Sequence, residues 1–296
     1  MIMDNHEDTN ENMEQKSRSD SGPFSLTDSM SNSINSEVVG LISNIGEVGI
    51  DAALNEGILK EVPFISTAVS IYRIGRTIKE RSLLEKMWHF VKEMNAGCAD
   101  ESEREKRAKC FKNDEVKRAE ELKHIIILLD RYTSTDRADW LAKVYLSYLE
   151  KKITWTDVLI YSECIDKIIL EDLYYLDFYV HLNKELPVIS DEQSIAFLMA
   201  HYGEKCKRFL EKFDYDSIEE FSPKDRFKIH TDRLISAGLV ERLPIPINMP
   251  SKIMDGQVYV ATRTGIIFME LLLGYRYIED QTVFRKYYFK ARFSKK

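Results

Sequence analysis

Six histidines, at 6, 89, 124, 181, 201 and 230, have the widest chemical repertoire in this chain of 296 residues, and none stands at metal-ligand spacing from another. The four cysteines, at 98, 110, 164 and 206, form no CxxC and no even framework. They read as reduced thiols of a cytoplasmic protein, placed as small core or surface residues. No phosphate-cradling glycine loop, H-E-x-x-H helix or G-x-S-x-G elbow is present. His89, between Trp88 and Phe90, and His124, ahead of IIILL, read as half-buried helix residues. Acidic pairs such as Asp114-Glu115 and Glu171-Asp172 are ordinary at this charge density. The expectation is a protein without enzymatic activity, metal or cofactor.

Two basic sets remain. Lys224, Arg226, Lys228, His230 and Arg233, with Ser236 nearby, lie on one segment and could contact phosphates or base edges of double-stranded DNA. Asp225 and Asp232 make the surplus modest. Arg73, Arg76 and Lys79 alternate with Ile71, Ile74, Ile78 and Trp88, giving a face that could meet a protein partner or an anionic membrane surface. The same residues fit a buried hairpin in a helical bundle.

The elements that must position these side chains follow from punctuation and periodicity. Residues 1–36 hold eight Ser, seven acidic and two basic side chains, and so carry −5 of the formal −7. They are expected to be a disordered arm, and with no apolar h-region they do not read as a secretory signal. The other 260 residues share only −2, which excludes a strongly basic, nucleic-acid-coating protein.

A helical body is expected over 37–215, beginning with an amphipathic hairpin at 37–95. Glycines at 40, 46, 49 and 57 would allow close helix approach. One helix ends near Asn55, Pro63 turns the chain, and a long helix runs from about Phe64 to Met94 with Leu84, Met87, Trp88 and Val91 on its apolar side. The longest uncharged stretch of this hairpin, Val62 to Tyr72, is too short to span a bilayer. HIIILLDR, 124–131, closes a buried helix. Thr135-Asp136 caps the next, with Leu141, Val144, Tyr145 and Tyr148 on one face. Thr154 and Asp157 form a capping box for a helix reaching Leu182, and Pro187 precedes another from Asp191 to Lys212.

Over 216–275 the pattern changes. Ser222-Pro223 opens a helix that stops at Gly238, a strand follows at 239–243, and a loop holds Pro244, Pro246 and Pro250. QVYVAT, 257–262, is a second strand, and Thr264-Gly265 opens a last helix. The order reads as a small winged-helix-like α+β module, and an aromatic and basic tail, 276–296, closes the chain. The fold class expected is therefore mainly α: a helical bundle body with that module at its C-terminal end.

The segment GILKEVPFISTAVSIYRIGRTIKERSLLEKMWHFVKEM, the charged helical middle and the terminal LISAGLVERL…VYVATRTGIIFMELL together resemble bacterial proteins carrying the abortive-infection alpha domain. The resemblance lies in architecture over about 37–275 and carries no catalytic residues. It implies a bacterial antiphage or growth-arrest protein, cytoplasmic or peripheral at the inner membrane, acting through a protein partner or that membrane. The alternative from the residues alone is a transcriptional regulator that binds DNA through the 225–237 helix.

Overall fold

In the computed structural model of the chain, the described residues are 26–34, 65–67, 77–96, 109, 114–185, 202, 204–206, 208, 223–242 and 258–273. They are mainly helical, with one small antiparallel sheet of two strands. The helices are α1 (Leu26–Ile34), α2 (Ile78–Ala96), α3 (Glu115–Arg131), α4 (Thr135–Leu149), α5 (Trp155–Lys167), α6 (Asp172–Glu185), α7 (Pro223–Ser236) and α8 (Arg263–Leu273). The strands β1 (Val240–Arg242) and β2 (Tyr259–Ala261) pair with Val240 opposite Ala261.

α4 is the central helix. It packs against α2, α5 and α8, with Leu141, Ala142, Val144 and Tyr145 at zero exposure. Its expected apolar face is present, with Tyr148 partly buried at the edge. α3 is the buried helix expected from HIIILLDR, although Ile127 faces outward.

Several helix boundaries depart from the sequence reading. α2 begins at Ile78, not as the continuation of a helix from Phe64. Its start is a capping box in which Thr77 Oγ1 accepts from the Glu80 amide at 3.2 Å and Glu80 Oε2 accepts from the Thr77 amide at 3.0 Å. α4 starts one residue after Ser134, whose side chain makes no capping bond, so Thr135-Asp136 is inside the helix. The box at Thr154 and Asp157 is formed as expected. The helix it opens stops at Lys167 rather than Leu182. Ile168 turns extended with its side chain fully buried, and Arg137 Nη2 donates to its carbonyl at 2.8 Å. Asp172 then caps the restart by accepting from the Ile169 amide at 2.8 Å. Tertiary partners, not glycine or proline, break this helix.

The arm expected at 1–36 is helical over Leu26–Ile34. Leu26, Met30 and Ile34, spaced by four, are buried against α2 and α3. Residues 1–25 lie outside the described set, as do 37–64, Ile71, Arg73, Ile74, Arg76 and 274–296. Of the helix expected from Asp191 to Lys212, residues 202, 204–206 and 208 are described, and they are helical.

The C-terminal elements belong to the same core. α6 packs on β2, α7 and α8, and α8 also packs on α4. Gly238 ends α7 at φ +73°, where the Leu239 amide returns to Leu234 O at 3.0 Å. Asn183 on α6 closes the free edge of β2. Its amide donates to Ala261 O at 2.8 Å and its carbonyl accepts from Ala261 N at 3.1 Å. Two residues along, Tyr202 accepts from the Tyr259 amide at 3.3 Å. α8 opens at Arg263 with Thr262 as its cap, accepting from Gly265 N at 3.0 Å. Gly265, expected to open that helix, is there for space: a Cβ on it would lie 2.1 Å from the Leu239 carbonyl oxygen.

Candidate functional site

The last turn of a helix leaves carbonyls without intrahelical donors and carries partial negative charge, so a cation placed there gains both a bond and a favourable field. Among the described residues, four inter-helix cations take such positions. Lys86 of α2 donates to Tyr132 O at 2.6 Å, beyond the end of α3. Arg137 of α4 holds the end of α5 through Ile168, and Lys167 of α5 reaches Ser236 O of α7 at 3.2 Å. Lys143 of α4 donates to Leu272 O of α8 at 2.9 Å and stands 3.8 Å from Glu93. Lys86 is 4% exposed, and burial holds its amine below the ordinary value of 10.5 against the opposing pull of Asp130.

Two buried carboxylates complete the set. Asp172, at zero exposure, accepts from His230 Nδ1 at 2.6 Å and from Arg233 Nη1 at 3.0 Å, in addition to the Ile169 amide. The His230 ring stacks on Tyr175 with centroids 4.2 Å apart. Glu121 on α3 accepts from Tyr148 at 2.6 Å, Tyr145 at 3.1 Å and Arg118. The Arg118 guanidinium lies over the Tyr148 ring, 5.1 Å from its centroid, while Trp155 closes the cluster against Tyr148 and His124. Burial and the Glu121 carboxylate push the Tyr145 phenol well above its usual range. Two His–Asp pairs are accessible to solvent: His89 with Asp139, 3.1 Å apart and each about one-third exposed, joins α2 to α4, while His181 with Asp177, 3.3 Å apart and more exposed, lies within α6.

The residues singled out from sequence are divided by this arrangement. Of the expected DNA contacts, Lys228 is exposed and Arg226 half-exposed, but His230 and Arg233 face inward onto Asp172 of α6. Lys224 lies in the first turn of α7. Of the expected membrane or partner face, Ile78 is 90% exposed and Lys79 pairs with Asp130 at 3.3 Å, whereas Trp88 is 2% exposed in the core. Trp88 therefore cannot share an outer face with Ile78. The cations that bond to helix ends were not marked by sequence, because nothing local distinguishes Lys86, Arg137, Lys143 or Lys167 from solvated lysines and arginines. The T-x-x-E spacing at Thr77 and Glu80 was a readable signal.

Among the described residues, no group of three or more His, Cys, Asp or Glu side chains could hold a metal ion. No helix among them is long and apolar enough to cross a membrane. No protein-family model, no curated protein and no solved structure matches the chain.

Proposed function

We propose that this chain acts by binding rather than catalysis, as an antiphage or growth-arrest protein of the abortive-infection kind that works through a protein partner. One observation carries the binding half of this reading. Among the described residues, the buried charged side chains Lys86, Glu121 and Asp172 are all engaged in ties between packed residues. Groups used this way hold helices in register and are poorly placed to exchange protons with a substrate. The biological half rests on the resemblance given by the helical body and its terminal LISAGLVERL…VYVATRTGIIFMELL.

In this proposal the winged-helix-like order α7–β1–β2–α8 is a packing module. The inward orientation of His230 and Arg233 supports that role over groove readout, since both polar ends are taken by Asp172.

Plating efficiency of a phage panel on a bacterial host expressing the chain tests the proposal. At least one phage should plate about tenfold or more below the control, and His89→Gln with Asp139→Asn should leave that protection in place. No protection against any phage, with normal host growth, would refute the defence role. Protection lost in the folded double variant would assign catalysis to the His89–Asp139 pair.

A further inference from the structure

A histidine bonds through either ring nitrogen, and the partner of one decides what the other can do. In His230 of α7, Nδ1 is held by Asp172 at 2.6 Å, and that carboxylate has zero exposure. An ionised carboxylate only accepts, so the proton of the neutral ring sits on Nδ1 and the lone pair is left on Nε2. Tyr175, stacked with centroids 4.2 Å apart and 13° between the planes, fixes the ring as well. Among the described residues nothing bonds to Nε2, and Arg118 Nε is the one side-chain polar atom buried without a partner. With its side chain 14% exposed, His230 therefore turns Nε2 to water.

His89 and His181 share part of this arrangement. Nδ1 of His89 is 3.1 Å from Asp139, and Nδ1 of His181 is 2.9 Å from the Asp177 carbonyl. Both are more exposed than His230, at 30% and 56%. What separates the three is the charge within one helical turn. His89 has Glu85 four residues before it and Glu93 four after, and His181 has Asp177 and Glu185 at the same spacings. Against these carboxylates stand Lys92 and Lys184, while Lys86 is already bonded beyond α3. His230 has Arg226 four residues before it, Arg233 three after, and no carboxylate three or four residues to either side. Arg233 gives Nη1 to both oxygens of Asp172, at 3.0 and 3.1 Å, which offsets that charge. It is 30% exposed, and no described residue takes its other guanidinium donors.

We propose that His230 is a phosphoryl-acceptor site, modified at Nε2 by a small phosphoryl donor with a good leaving group, a phosphoramidate or an acyl phosphate. The Nε2 lone pair attacks phosphorus. The Nε2–P bond forms as the bond from phosphorus to the donor's nitrogen or oxygen breaks, and the leaving group departs as the amine or the carboxylate. The Nδ1 proton stays in place, and Asp172 offsets the positive charge that the ring acquires. Arg233 and Arg226, one turn to either side, supply the positive charge that favours the phosphoryl oxygens. Stoichiometric acceptance of a phosphoryl group is compatible with a binding protein and does not rest on phage protection.

The probe is phosphoramidate, added to the full unmodified chain, with peptide mass mapping to record phosphoryl increments at each histidine. His230 should be modified at least about tenfold faster than His89 or His181, because flanking positive charge raises the local level of an anionic donor. Rates that follow exposure, with His181 ahead of His230, would overturn the proposal. So would modification of His230 only after guanidinium unfolds the chain. Phosphorus NMR of the product should show the Nε2 isomer, and the Nδ1 isomer would overturn the orientation assigned to the ring. Arg226→Gln, at a half-exposed position, should slow modification of His230 by about threefold or more while the urea midpoint stays unchanged. An unchanged rate in that variant would overturn the phosphoryl-binding flank. None of these measurements involves phage, so failure here and failure of the defence role are separable.

Discussion

Burial pushes the Cys164 thiol up to about 11 and the Cys206 thiol up to about 12, from an ordinary value of 9.0. Cys164 also donates to Ala237 O at 3.2 Å, which only the protonated form can do. Folding therefore favours the thiol over the thiolate, and the unfolded chain loses these protons at lower pH than the folded one. The linked stability is fully present below about pH 9 and falls as pH rises through 11 to 12. Both thiols should resist iodoacetamide at pH 8 in the folded chain and react once guanidinium unfolds it, as peptide mass mapping would record. Modification of either thiol in the folded chain at that pH would contradict its burial. The sequence places the thiols as small core or surface residues; Cys164 and Cys206 are core, and Cys98 and Cys110 lie outside the described residues. Asp172 was passed over as one of an ordinary acidic pair because its partners, His230 and Arg233, are about sixty residues away.

Elements were readable where the signal is local. The capping box at Thr154, the proline start of α7 and the positive-φ glycine that ends it are short-range features, and all three are in place. Breaks set by distant groups were not. Lys167 to Asp172 holds neither Gly nor Pro, and the chain leaves the helix there because Ile168 is buried and its carbonyl is taken by Arg137. α1 was missed for a related reason: its composition is that of a solvated arm, and only its four-residue apolar spacing betrays the surface beneath it. Gly265 gives the sharpest test at this scale. Its missing Cβ lets α8 approach the end of α7 so closely that the Leu239 carbonyl oxygen occupies the space. Gly265→Ala should destabilise the fold by about 2–3 kcal/mol, since the obstruction is backbone rather than a flexible side chain. Urea denaturation would show it as a lower midpoint at unchanged slope, and an alanine variant within about 0.5 kcal/mol of the parent would contradict the close approach.

Ties that cross the expected boundary at 215–216 decide how the molecule unfolds. Lys167 to Ser236, Cys164 to Ala237, Asn183 to Ala261 and Lys143 to Leu272 all join the helical body to the C-terminal elements. Each places a side chain of one part on a backbone group of the other, so separating the parts strips hydrogen bonds from both. Phe268 stacks on Tyr161 with centroids 5.8 Å apart, and Phe227 meets Tyr175 and Tyr179, so aromatic packing is shared as well. A winged-helix domain that worked on its own would keep its core within its own elements. Here the body and the C-terminal elements should melt in one calorimetric transition, with tryptophan fluorescence and far-UV circular dichroism following the same curve. Asp172→Asn weakens the α6–α7 junction and should shift that single transition downward by about 2–3 kcal/mol of stability, less than for a wholly buried pair because Arg233 keeps some water. Two resolved transitions, with only one displaced by the substitution, would mean that residues 223–273 fold independently. The winged-helix-like unit would then be a free domain, with a surface available for DNA.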